Sequence, residues 1–131
     1  KLHGDESAEF SKEVKTFSKL IKVFNVSDDF DFSICSNYAF ADLFLFDTKG
    51  KMAGGNGVKF NWRLLNKYSE KTPFLLSGGI HLYDATEIKK VNHPLLIGID
   101  INSGFEISPG YKNIALIDEM VNQIKDNEYA C

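Results

Sequence analysis

Three short apolar runs constrain what this chain can fold into more than anything else in it. Leu43–Phe46, Phe74–Leu76 and Leu95–Ile99 carry no polar side chain, and each ends in a polar or glycine cluster: Asp47, then Ser77-Gly78-Gly79, then Asp100 with Ser103 and Gly104. Strict alternation would mark a strand with one wet face. Unbroken runs suit strands buried on both faces, as in a parallel sheet covered by helices.

Helical patterns fill the intervals. Asp5 or Ser7 can cap a helix whose apolar stripe is Phe10, Val14 and Phe17. Leu20–Val26 reads as a further strand, and a short helix or turn spans Phe30–Asn37, with Cys35 as a small buried apolar group. Asn61 can cap a helix carrying Trp62, Leu65 and Tyr68, and another helical pattern runs from about Tyr83 to Val91. The last helix starts near Asn113 and lines one face with Ile114, Ile117, Val121 and Ile124. Strands and helices alternate strictly, with connections suited to right-handed crossovers. The class is α/β, one domain over residues 1–131.

Composition removes several functions. The net charge is -3, with no basic cluster to track a phosphate backbone, so no nucleic acid partner is expected. No apolar run approaches the ~20 residues needed to span a bilayer. A cytoplasmic protein without membrane contact is the expectation. Cys35 and Cys131 form no disulfide framework, and His3, His81 and His93 lie far apart in sequence, so no metal site is expected.

The chemistry gathers at the ends of the apolar runs. With a side-chain period of two, Asp47 shares a face with Leu43 and Leu45, so a carboxylate stands at the C-terminal tip of its strand. A carboxyl facing an apolar interior has its charged form disfavoured, which suits Asp47 to deliver a proton as general acid. Asp100, among polar neighbours, suits hydrogen bonding to substrate hydroxyls. Gly54 and Gly55 sit in a glycine-rich stretch where backbone can approach a ligand closely. Gly78, Gly79, Ser103 and Gly104 expose backbone N–H groups directly after strands, a cradle for phosphate that needs no basic side chain. Taken singly, each cluster is ordinary turn chemistry. Three in succession argue for a shared site at one rim.

Four segments, FLFDT (Phe44–Thr48), GGNGVKFNW (Gly54–Trp62), PFLLSGGI (Pro73–Ile80) and GIDINSGFEISPGYK (Gly98–Lys112), follow an opening KLHGDES. In that order they resemble the phosphoribosylanthranilate isomerase family of tryptophan biosynthesis. The resemblance implies a (β/α)8 TIM barrel and a cofactor-free Amadori rearrangement of N-(5-phosphoribosyl)anthranilate, a small phosphorylated substrate. It also implies Asp47 as the acid that opens the ribose ring, His3 and Asp100 facing the substrate, and the phosphate loops at Gly78, Gly79, Ser103 and Gly104. The family's usual Thr in the GGTG loop and Asp before the Trp are Asn56 and Asn61 here, which keep hydrogen-bonding capacity.

The family's base, a cysteine on the first strand, and an arginine after the second have no counterpart in these residues. The expectation is therefore a C-terminal portion, from the end of strand four to helix eight, about half a barrel. Alone it would show no turnover, and it would self-associate through its open edges and the uncovered inward faces of Leu43, Leu45 and Leu75. Two rivals share the glycine loops: another sugar-phosphate barrel enzyme, and a noncatalytic phosphate-binding half barrel.

Overall fold

The computed structural model describes residues 1–48 and 61–125, and its centre is a four-stranded parallel sheet in the order β1-β2-β3-β4. The strands are β1 (Ile21–Val26), β2 (Leu43–Thr48), β3 (Phe74–Ser77) and β4 (Leu96–Asp100). Register runs Ile21 to Leu43 and Phe44 to Phe74, then, past an irregularity after Phe74, Leu75 to Gly98. The opening residues join from outside β1. Leu2 donates its N–H to the Ile21 carbonyl at 3.0 Å and accepts from the Val23 N–H at 2.9 Å.

One face of the sheet carries the main core. Phe24, Val26, Phe44, Phe46, Phe74 and Leu76 point there and meet Cys35, Leu65, Tyr68, Ile88, Phe105 and Met120 from the covering segments. Phe46 is at the middle, with ring centroids of Phe32, Tyr68 and Phe74 at 5.4, 5.3 and 5.0 Å. Edge-to-face and tilted ring pairs of this kind add about 0.5–1.5 kcal/mol each beyond area burial.

The covering segments include α1 (Ala8–Lys15), α2 (Ala85–Lys90) and α3 (Ile114–Lys125), with 3-10 turns at Phe32–Tyr38, Trp62–Lys67, Leu82–Asp84 and Ser103–Phe105. A small antiparallel hairpin joins β5 (Glu106–Ser108) to β6 (Tyr111–Lys112). Ser7 caps α1, accepting from the Phe10 N–H at 3.2 Å.

Several details depart from the pattern in the sequence. The Phe10, Val14 and Phe17 stripe does not form: α1 stops at Lys15, where the Thr16 hydroxyl donates back to the Glu13 carbonyl, and Phe17 is left 83% exposed. Asn61 caps as expected, its side chain accepting from Arg63 N–H, but the turn it starts is 3-10 rather than α. Tyr68 ends that turn because its ring enters the aromatic core while its hydroxyl donates to the Thr72 carbonyl at 2.6 Å. In α3 the buried residue is Met120, supported by Leu116, Ile117 and Ile124, while Ile114 and Val121 face solvent. The inward face is also less bare than expected. Leu45 is only 1% exposed, because Val23 and Leu75 flank it in register, whereas Leu43 and Leu75 remain half-buried.

Candidate active site

The sheet's register brings four polar residues into one row at its C-terminal end. Asn25 pairs with Asp47, Asp47 with Ser77, and Ser77 with Asp100. Partners across a parallel sheet point to the same face, so this row crowns the face opposite the aromatic core. The Ser77 hydroxyl donates to Asp100 Oδ2 at 3.4 Å, and the Thr48 hydroxyl to the Ser77 carbonyl at 3.3 Å.

The opening segment completes the row. Leu2 bridges to Lys22 and packs against the core, so its neighbours Lys1 and His3 project to the opposite face, that of Asp47. Lys1 Nζ lies 2.9 Å from Asp100 Oδ2. The segment is anchored from below by Lys22, itself buried, whose ammonium donates to the Gly4 carbonyl at 2.7 Å and to Glu6 Oε2 at 2.8 Å.

Asp47 is half-buried, and its carboxyl is held above the ordinary carboxylate range. Burial is the larger cause and the negative charge of Asp100 the next, while His3 and Lys1 pull the other way. A carboxyl so placed holds its proton more readily than a free one, as a donor needs to.

The first glycine after β3 is required by contact with the acid. Gly78 has φ +92°, and a Cβ there would lie 2.3 Å from Asp47 Oδ1 and 2.7 Å from the Thr48 N. Gly79 follows at φ 61°. Gly104 sits in the turn after β4, where a Cβ would come within 2.3 Å of the Ile80 carbonyl oxygen and 2.7 Å of His81 Nδ1. The loops after β3 and β4 therefore pack directly on one another, and Ser103 opens the turn that carries Gly104.

The residues singled out in the sequence thus divide into three groups. Asp47, Asp100, His3 and Gly78 share one face. Gly79, Ser103 and Gly104 lie in the two adjoining loops, and Gly54 and Gly55 fall outside the described residues. Sequence reasoning missed Lys1 and His81. Alternation around Leu2 could have placed Lys1, but His81 meets Gly104 only through tertiary packing. Cys35 is buried, and its thiol is pushed up to about 12, chiefly by burial, so it is an inert core group.

The family model for N-(5'-phosphoribosyl)anthranilate (PRA) isomerase matches residues 1–123. An N-(5'-phosphoribosyl)anthranilate isomerase of Parabacteroides distasonis is 44% identical over 125 residues, covering 94% of this chain and 57% of the relative. Among solved structures, phosphoribosyl anthranilate isomerase from Thermotoga maritima is 30% identical with a TM-score of 0.79, over 95% of this chain and 60% of that one. A phosphoribosyl anthranilate isomerase solved in complex with reduced 1-(o-carboxyphenylamino)-1-deoxyribulose 5-phosphate is 27% identical, with a TM-score of 0.76, over 95% of this chain and 58% of that one. The chain thus spans somewhat over half the length of the proteins it matches, and its fold is of the TIM-barrel type.

Proposed function

The chain belongs to the N-(5'-phosphoribosyl)anthranilate isomerase family, and from that premise we propose that its residues supply the proton donor and the phosphate cradle for conversion of N-(5-phosphoribosyl)anthranilate to 1-(2-carboxyphenylamino)-1-deoxyribulose 5-phosphate. The observation that carries this reading is the half-buried Asp47 carboxyl at the tip of β2, held above its usual range beside Asp100 and under Gly78.

In this mechanism Asp47 protonates the ribose ring oxygen. The bond from that oxygen to the anomeric carbon breaks as the anilino nitrogen lone pair forms an iminium. A base then removes the proton from C2, giving an enolamine that becomes the aminoketose. Asp100 and His3 face the sugar hydroxyls. The phosphate lies against backbone N–H groups of Gly78, Gly79, Ser103 and Gly104. The base is not assigned to any described residue: Cys35 is the described cysteine, and its thiol is buried in the core.

These residues are read as the part of the family's barrel from the end of the fourth strand to the eighth helix. Support comes from the parallel order of β1 to β4, the Leu2 bridge outside β1, and the 57% share of the relative that is matched. Turnover then requires the family's first strand and its cysteine.

The acid is tested in the full-length isomerase by following anthranilate fluorescence. Asp47→Asn should lower kcat by roughly two to four powers of ten with KM little changed. Near-normal kcat in that variant would remove Asp47 from the role. The cradle is tested separately by titrating inorganic phosphate and reading backbone amide shifts, which should move at Gly79, Ser103 and Gly104. Movement confined to surface lysines would place the phosphate elsewhere.

A further inference from the structure

We propose that Lys1 is a positioning residue of the site, whose ammonium holds the Asp100 carboxylate at the tip of β4 and thereby sets the charge that Asp47 faces across Ser77. The geometry is direct. Lys1 Nζ stands 2.9 Å from Asp100 Oδ2, and the same oxygen accepts from the Ser77 hydroxyl at 3.4 Å. Ser77 is the register partner of both Asp47 and Asp100, so the two carboxylates are next-nearest neighbours along one row. Alternation about Leu2 aims Lys1 at that row, and the pair of backbone bonds from Leu2 to Ile21 and Val23 fixes the segment that carries it.

Among the described residues, the charged groups that act on Asp47 come from two places. The opening segment contributes Lys1 and His3, both favouring its ionised form, and β4 contributes Asp100, which opposes it. β1 and β3 face it with Asn25 and Ser77, which are neutral. Two like charges in one row repel each other, and a cation on one of them weakens the effect on the other. Lys1 thus acts on Asp47 in two ways of the same sign: directly as a positive charge, and indirectly by neutralising Asp100. The second way makes it a positioning residue rather than a bystander. Its bearing on catalysis rests on the reading of Asp47 as the acid.

The test is a carbon-13 NMR titration of the Asp47 side-chain carboxyl in the full-length isomerase, with substitutions at Lys1 and Asp100. In Lys1→Met the Asp47 midpoint should move up, and in Lys1→Arg it should stay with the unaltered chain, because charge and reach are retained. In an Asp100→Asn background the Lys1→Met shift should shrink, the non-additivity expected of a coupled pair. An unmoved or lowered midpoint in Lys1→Met overturns the proposal, as does a Lys1→Arg curve that follows Lys1→Met. A Lys1→Met shift of equal size in both backgrounds overturns the indirect action through Asp100. The readout needs no turnover, so normal kcat in Asp47→Asn would sink the acid assignment while leaving this result standing.

Discussion

At the scale of single residues, two aspartates show how placement alone separates a chemical group from a structural one. Asp42 lies at the N-terminal end of β2, accepts from the Leu20 N–H at 2.7 Å and pairs with Lys15 and Lys19. The Lys15 hydrogen bond foremost, then the Leu20 amide, brings its carboxyl down to about 2. Asp47 stands next to the last residue of the same strand, where burial pushes the other way. The consequences for stability have opposite sign. Asp42 contributes stability that is present above the usual carboxylate value and is lost as pH falls toward about 2, so acid unfolding monitored by circular dichroism should be less steep in that window in Asp42→Asn. Asp47 favours the fold only while it keeps its proton, and that contribution is lost as pH rises through its raised value. Asp47→Asn should therefore raise Tm at neutral pH, with the gain disappearing near pH 3 where the carboxyl is protonated in folded and unfolded chains alike. An unchanged or lower Tm at neutral pH would mean that the carboxylate is compensated by groups other than Lys1 and His3. The period-two pattern was enough to put Asp47 on its face. What it could not carry was the contact of Gly78 with Asp47, or of Gly104 with His81, because each joins residues brought together by separate loops.

Among the elements, strand positions are legible in the sequence and helix faces are not. β1, β2, β3 and β4 follow the apolar runs to within two residues at either end, but the burial on both faces that such runs suit fails at β4, where no residue is buried and Ile97 is exposed. The helical segments diverged, because a helical stripe predicts only that some face is buried. In α1 the cap at Thr16 ends the helix before Phe17, and in α3 Met120 takes the place expected for Val121. The 3-10 turn at Trp62–Lys67 is set by Tyr68, whose ring enters the aromatic cluster around Phe46. That cluster makes Phe46 the most consequential core side chain. Phe46→Ala removes a fully buried ring between β2 and its covering segments and should cost about 3–5 kcal/mol, read by urea denaturation. A loss below about 1 kcal/mol would mean the surrounding rings collapse into the space. His93 ties the start of β4 into the same cluster. Its Nδ1 accepts from the Leu95 N–H at 3.1 Å, which leaves Nε2 to donate to the Tyr68 carbonyl at 3.3 Å. His93→Phe keeps the ring and loses both bonds, and should lower Tm where a purely packing role would leave it unchanged.

At the scale of the whole molecule, the question is what meets the outer edge of β4. Strand order makes β4 the last in the sheet, and along it Leu96, Ile97, Gly98 and Ile99 border an apolar groove shared with Met120, Val121 and Ile124 of α3. Ile97 is 61% exposed there. In a closed barrel the eighth strand pairs with the first, so the reading of these residues as the later strands assigns the groove to the family's first strand. An edge with unpaired N–H and carbonyl groups beside apolar side chains is a template for another chain. Within the described residues nothing crosses the outer edge of β4, so the chain by itself should self-associate there, and Ile97→Lys should suppress that association by placing a charge on the edge. Light scattering on a sizing column gives the mass directly. The same surface should accept the family's first strand. Adding the N-terminal portion of a full-length family member should displace the self-associated form and, with its cysteine supplied, raise turnover above that of the chain alone. If the unaltered chain runs as a monomer and isomerises substrate at a normal rate, both the assignment of the groove and the assignment of the base to the first strand fail together. If it is a monomer without turnover, and the added portion restores activity, the groove assignment stands and only the prediction of self-association is lost.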